Sequence, residues 1–213
     1  EFDISVQSCV TQIGDIKAKE IDFDFANSTE IFWAHQNNQD SAKELILNTK
    51  NTNDSLGATV LTIIKGAPAG LGEVLYNKLD AALASAMMGI NGVKGVEIGD
   101  GINVATMLGS QNNDFMDKNG FKSNHCGGIL GGISNGNDIV IKSYFKPTPS
   151  IFKAQPTINL DGNEVICELR GRHDPCIGVR GSVVATAMAR LVIADMLLLN
   201  ASANLNNLKR IYQ

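Results

Sequence analysis

Cysteine, histidine and tryptophan are scarce in this 213-residue chain, and basic charge is not in excess. The four cysteines, Cys9, Cys126, Cys167 and Cys176, show no C-x-x-C spacing. A chain of this length does not depend on disulfide staples, so all four are expected as free thiols in a reducing cytoplasm. Three scattered histidines, His35, His125 and His173, make a poor ligand set, and no metal site is expected. The net charge of −4 excludes a global basic field that would draw the chain to nucleic acid, while a local basic site for a small anion stays open. No signal-peptide pattern is visible. The longest apolar run, residues 183–199, is interrupted by Thr186, Arg190 and Asp195, and reads as a buried helix too short to span a bilayer. No internal repeat or low-complexity linker appears.

What is present can fold. Apolar residues make up 44% and charged residues 19%, a balance that buries a core, and a single domain over residues 1–213 is expected. Residues 1–16 read as strand with a break at Gly14-Asp15. A chain opening at Glu1 inside a strand is expected to be a piece of something longer. Residues 25–40 are polar and read as an exposed excursion, with Phe32 and Trp33 as an anchor on the domain or on a neighbouring subunit. A helix over 41–51 would be capped by Ser41 with Glu44 completing a capping box. Residues 58–65, 93–98 and 139–145 read as strands. Apolar spacings of three and four predict a helix over 71–88, stopped by Gly89. Asp161-Gly162-Asn163 predicts a hairpin between 157–160 and 165–169. Ser182 would cap a long helix to about 199, and a short one would follow over 204–211. The expected class is α+β, an antiparallel sheet packed against long helices.

Three stretches could carry chemistry. Gly127-Gly128 and Gly131-Gly132 lie in a loop that is neither a P-loop nor a dinucleotide fingerprint, and either ligand contact or tight turning accounts for them. Lys146-Pro147-Thr148-Pro149-Ser150 is held extended by its prolines and projects a cation and two hydroxyls. That suits a phosphate-like anion, but composition alone favours a rigid strand exit with solvated polar groups. Arg170, Arg172, His173, Asp174 and Arg180 gather cations, an imidazole and a carboxylate just before the long helix. An ionised carboxylate beside arginines and a proton relay are one reading, and a surface salt-bridge cluster is the other. Cys176 reads as a buried thiol rather than a nucleophile.

Taken in order, five segments resemble the chorismate synthase family: residues 68–90 (PAGLGEVLYNKLDAALASAMMGI), 91–101 (NGVKGVEIGDG), 127–136 (GGILGGISNG), 146–151 (KPTPSI) and 171–184 (GRHDPCIGVRGSVV). Asp54-Ser55 with Gly57, and Gly109-Ser110 with Asn113-Asp114, also fit. The resemblance covers nearly the whole chain, most weakly over 25–53, and aligns it with the C-terminal part of the family's sequence. The N-terminal part, with two catalytic histidines, most substrate-phosphate arginines and a further flavin segment, has no counterpart here.

The resemblance implies a phosphate lyase. It would convert 5-enolpyruvylshikimate 3-phosphate to chorismate by 1,4-anti elimination with reduced FMN and no net redox change, NADPH serving some members as reductant of the flavin. It implies a cytoplasmic homotetramer built as a β-α-β sandwich, of which this chain is half. By position, Lys146, Pro147, Thr148, Pro149 and Ser150 would grip FMN near its phosphate. Asn91 and Gly92 would line the flavin site, Gly131 would let backbone approach it, and Arg172 would bind FMN. Asp174 would stand near the flavin as proton acceptor, its pKa tuned by burial and arginines. Many members carry Glu where this chain has Thr186. Two other readings remain: a catalytically inactive flavin-binding or apo fragment, and a flavin-dependent NAD(P)H oxidoreductase.

Overall fold

The computed structural model describes residues 3–212. The chain runs β1 (Ser5–Ile13), β2 (Ile16–Lys17), α1 (Phe23–Ser28), α2 (Gln39–Asn51), β3 (Ala58–Lys65), α3 (Leu79–Met88) and β4 (Val93–Ile98). A 3-10 turn (Gly101–Thr106), α4 (Gly109–Asn112) and four two-residue strands follow: β5 (Met116–Asp117), β6 (Gly120–Phe121), β7 (Ile129–Leu130) and β8 (Ile133–Ser134). Then come β9 (Ile139–Phe145), β10 (Gln155–Ile158), β11 (Glu164–Cys167), α5 (Gly178–Ser202) and α6 (Leu205–Tyr212).

Five strands form one antiparallel sheet in the order β2-β1-β3-β9-β4. The expected α+β class therefore holds. Alternation sets its faces. In β9, Ile139, Ile141, Ser143 and Phe145 are buried while Val140, Lys142 and Tyr144 are half-buried. Register places Ile141 beside Thr62 of β3, and Thr62 beside Ser8 of β1. This row faces the helices: α5 lies across β1 and β3, and α3 packs on β4 and on α5. Leu83, Met87 and Ile141 are wholly buried there, each contributing about 1.5–3 kcal/mol by leaving water.

Small residues let α5 lie close. Gly178, Gly181, Ser182, Ala185 and Ala189 are its buried stripe. A Cβ on Gly178 would come within 2.4 Å of the Ala58 Cβ. The Thr186 hydroxyl donates to Ser8 Oγ at 2.8 Å, and Ser8 Oγ lies 2.8 Å from Thr62 Oγ1. A chain of hydroxyls thus links α5 to β1 and β3. With 25 residues and a mean hydropathy of 1.9 over its most apolar 18-residue window, α5 is long and apolar enough to cross a bilayer, contrary to the reading of the 183–199 run as too short. Its stripe on the sheet and the charges of Arg190 and Asp195 within it fit a core helix instead. Val183, Leu191 and Leu198 on its outer side are exposed.

Several elements differ from expectation. The first strand is confirmed over Ser5–Ile13, and residues 1–2 of it lie outside the described residues. Trp33, expected on an exposed excursion, is fully buried; its Nε1 donates to the Asn37 carbonyl at 3.1 Å, and Val10 N–H donates to the Phe32 carbonyl at 2.7 Å. The anchor is on the chain's own β1. Helix α2 starts two residues before Ser41, after Asn38 in the left-handed region, and no side chain caps it. Ser182 likewise lies inside α5, its hydroxyl turned back onto the Val179 carbonyl. The helix predicted over 71–88 exists only over Leu79–Met88. Residues 71–78 are irregular because Leu71 N–H is taken by Ser134 Oγ at 2.9 Å and Leu79 N–H by the Gly132 carbonyl at 2.8 Å. Gly72, at φ +96, has no room for a side chain: a Cβ would lie 2.4 Å from that same carbonyl oxygen. The predicted hairpin forms two residues earlier than expected, with Asn159 Oδ1 accepting the Asp161 and Asn163 amides.

Candidate functional site

A cleft of about 450 Å3 opens where the turn after α3, the end of β9 and the first turns of α5 meet. Ile90, Phe145, Ile177, Val184 and Met188 supply apolar lining, and Asn91, Asp174 and Arg180 supply polar groups. The volume lies within the roughly 300–1,000 Å3 of small-molecule sites, and apolar walls with a few polar groups suit a planar ring bearing polar edges. Gly181 lets α5 approach Phe145 closely at the cleft: a Cβ there would lie 2.4 Å from Phe145 Cζ.

Asp174 is half-buried, and its Oδ2 meets Arg180 Nε at 3.2 Å. Its carbonyl accepts from Thr148 Oγ1 at 3.3 Å. That bond ties the Asp174 segment to the 146–150 strip, which leaves β9 directly beneath the cleft. At the strip's other end, Lys146 N–H donates to the Gly92 carbonyl at 2.8 Å. Gly92 itself is at φ +90, a turn that suits glycine. Asn91, Gly92, Lys146 to Ser150 and Asp174 are thus brought together from three separate stretches of sequence. Lys146 is exposed, as is Arg172, and among the described residues neither cation has a salt-bridge partner. Pro147 and Pro149 are exposed, and Thr148 and Ser150 half-buried.

Gly131 is not brought into this group. It turns the β7–β8 hairpin at φ +63 with open space about it. That hairpin holds the start of α3, whereas Asn91 follows its end. The 10-residue helix puts about 15 Å between them. The neighbouring Gly132 serves tight packing, since a Cβ would lie 2.6 Å from the Glu73 carbonyl oxygen.

A second polar cluster lies in the loops after β4. Asp114 accepts from Ser123 Oγ at 2.6 Å, His125 N–H at 2.7 Å and Cys126 N–H at 3.0 Å. Burial pushes its carboxyl up, but the donated hydrogen bonds outweigh burial and hold it at about 2. His125 Nδ1 lies 2.7 Å from Asp100 Oδ2. Burial, then the hydrogen bond and charge of Asp114, push the Cys126 thiol up. Burial raises Cys176 too, against the opposing Gly178 and Val179 amides, and lifts Cys9 to about 12. All four cysteines are free thiols.

Sequence reasoning missed the floor of the cleft. Phe145 and Ile177 read only as strand and linker, and Val184 and Met188 as helix core. The usable signal was Gly178 and Gly181 three residues apart at the start of an apolar helix, a spacing that lets another element approach.

Comparison with known proteins joins these observations. The sequence model of chorismate synthase matches residues 1–198. The chain belongs to the chorismate synthase family. It is 71% identical to chorismate synthase of Campylobacter fetus subsp. fetus (strain 82-40), over 100% of this chain and 60% of that protein. It is 56% identical to chorismate synthase of Helicobacter hepaticus (strain ATCC 51449 / 3B1), with the same coverage. A crystal structure of chorismate synthase superposes with a TM-score of 0.77 at 27% identity, covering 99% of this chain and 62% of the other. The chain thus spans about 60% of the length of the curated chorismate synthases it matches.

Proposed function

We propose that the protein carrying this chain eliminates phosphate from 5-enolpyruvylshikimate 3-phosphate to form chorismate in the shikimate pathway, and that this chain supplies one unit, the flavin grip, with Asp174. The observation that carries the reading is the cleft itself, where Asn91 and Asp174 line the same apolar hollow. The residues fit reduced FMN. Phe145, Ile177, Val184 and Met188 offer an apolar surface for a ring system. Lys146, Ser150 and Arg172 offer charge and a hydroxyl donor for a phosphate end, Lys146 as a point charge, while the Thr148 hydroxyl is given to the Asp174 carbonyl. When bound, reduced FMN supplies electron density to the breaking carbon–oxygen bond without net redox change.

The chain's residues hold and prepare that chemistry. The apolar walls exclude water, which strengthens charge interactions inside the cleft. Asp174 accepts the substrate proton at its carboxylate: Arg180 occupies Oδ2 and leaves Oδ1 for the proton. Gly131 belongs to this site only through the family pattern, on the far side of α3. The family's cytoplasmic homotetramer accompanies the reading, as does NADPH as reductant of the flavin. The exposed Val183, Leu191 and Leu198 on α5 support a covering surface in the complete protein.

A second reading is that the isolated polypeptide binds flavin without turning over substrate. No histidine among the described residues lines the cleft. His35 pairs with Glu20, His125 with Asp100, and the His173 ring packs on Phe152.

In the full-length protein, Asp174→Ala is expected to keep FMN affinity and lose roughly 100-fold or more in turnover. Undiminished turnover would remove Asp174 as proton acceptor. Supplying the isolated chain with reduced FMN and substrate, without oxygen, tests the second reading: chorismate formation would overturn it.

A further inference from the structure

Four residues between α2 and β3 fasten both loops of the flavin cleft. Ser55 Oγ donates to the Thr148 carbonyl at 2.6 Å, and Leu56 N–H donates to the Pro175 carbonyl at 2.7 Å. Phe152 N–H donates to the Asn53 carbonyl at 3.1 Å, and Asp54 pairs with Lys153. The Asp54 carboxylate also receives the Ser55 N–H at 2.9 Å, which orients the serine. The two segments so held are far apart in sequence and belong to no ladder of the sheet. Loops of that kind are mobile unless something bonds them.

The sequence explains why an outside donor is needed. Pro147, Pro149 and Pro175 have no N–H, so these segments lack the donors by which loops usually fasten themselves. Their carbonyls are the available handles. Thr148 lies between two prolines, and its carbonyl is the one Ser55 takes. Gly57 completes the approach, since a Cβ there would lie 2.9 Å from the Phe145 carbonyl oxygen.

We propose that Ser55 is a positioning residue for the flavin site: with the Leu56 amide it clamps the Lys146–Ser150 strip and the Asp174–Pro175 segment at a fixed separation. The proposal rests on the flavin reading of the cleft. Ser55 does not line the cleft, and with the Leu56 amide it acts through the two carbonyls. The Thr148 hydroxyl on the Asp174 carbonyl closes the triangle.

The test uses the full-length protein with Ser55→Ala and Ser55→Thr. FMN affinity is read by flavin fluorescence, and loop order by amide hydrogen exchange without flavin. Ser55→Ala should weaken FMN binding roughly tenfold, since the lost bond loosens both halves of the grip. Residues 150–153 and 174–177 should exchange faster together, and Ser55→Thr should restore most of both effects. A thermal midpoint lowered by only a few degrees would separate this from general destabilisation. Unchanged FMN affinity in Ser55→Ala, or faster exchange confined to residues 53–57, overturns the proposal. Should the wild-type protein bind no FMN, the flavin reading falls. Joint loosening in exchange would then still support the clamp, and separate loosening would end it. If Ser55→Ala does not fold, Ser55→Cys keeps the volume with a weaker donor and carries the same two readouts.

Discussion

The cleft by α5 and the loop cluster around Asp114 hold comparable chemistry, and they differ in what their charges face. Around Asp114 a carboxylate, an imidazole and a thiol lie together, but they satisfy one another. Asp114 is filled by three donors, His125 is held by Asp100, and the Cys126 thiol is kept protonated by burial and by Asp114. Beside the cleft, Lys146 and Arg172 are exposed without a salt-bridge partner among the described residues, and an apolar hollow lies open nearby. Mutual satisfaction marks a cluster that builds structure, whereas free charge next to dry surface marks one that awaits a ligand.

The largest way to break this comparison is Asp114→Ala. Three donors lose their acceptor, so stability should fall by about 2 kcal/mol, lowering the thermal midpoint by roughly 4–8 °C for a protein of this size. FMN affinity of the folded variant should be unchanged. A calorimetric scan beside a flavin titration checks both. A variant that stays stable but loses FMN would make the Asp114 cluster part of the site. The pH dependence has a definite sign. A carboxyl lowered from 3.8 to about 2 contributes stability that is complete above its unfolded value. That contribution is lost as pH falls through the folded value. The 114–126 loops should therefore loosen between about pH 4 and 2, and Asp114→Ala should abolish that acid step.

The sheet was legible in the sequence because β3 carries a β-branched run that is buried almost throughout and β9 alternates buried with half-buried residues, local signals that tertiary contacts reinforce. The start of α3 was not. Residues 71–78 have helical spacing, yet the backbone groups of Leu71 at one end and the Leu79 N–H at the other are drawn into bonds with the β7–β8 hairpin, Ser134 lying 63 residues from Leu71, a partner that no local pattern announces. The expected anchoring of Trp33 on the domain holds, but its full burial was hidden by polar neighbours. Of the site, Asn91, Gly92, the 146–150 strip and Asp174 were readable from family motifs. Phe145, Ile177, Val184 and Met188 were not, because a cleft floor is written in ordinary core residues.

A smaller effect sharpens the other half of the comparison. Lys146→Ala should weaken FMN binding roughly tenfold, about 1.4 kcal/mol, by removing a point charge from the phosphate end. Its ammonium has no salt-bridge partner among the described residues, so the thermal midpoint without flavin should stay within about 1 °C, as for most exposed substitutions. The loss should shrink as salt is raised, because an exposed charge is screened. A stability loss matching that of Asp114→Ala would show that the lysine is structural and that the two regions are alike.

The smallest expected effect is Cys126→Ser. The hydroxyl can donate to Asp114 as the thiol does, so the carboxylate keeps its partners and stability should change by less than about 1 kcal/mol. Because burial and Asp114 hold the thiol in its neutral form, alkylation of Cys126 in the folded protein should also be slow at neutral pH. Iodoacetamide labelling followed by peptide mapping checks this. Rapid modification of Cys126, or loss of turnover in Cys126→Ser, would mean that the Asp114 cluster holds a poised thiolate. Its groups would then be arranged for chemistry, and mutual satisfaction would no longer separate it from the cleft.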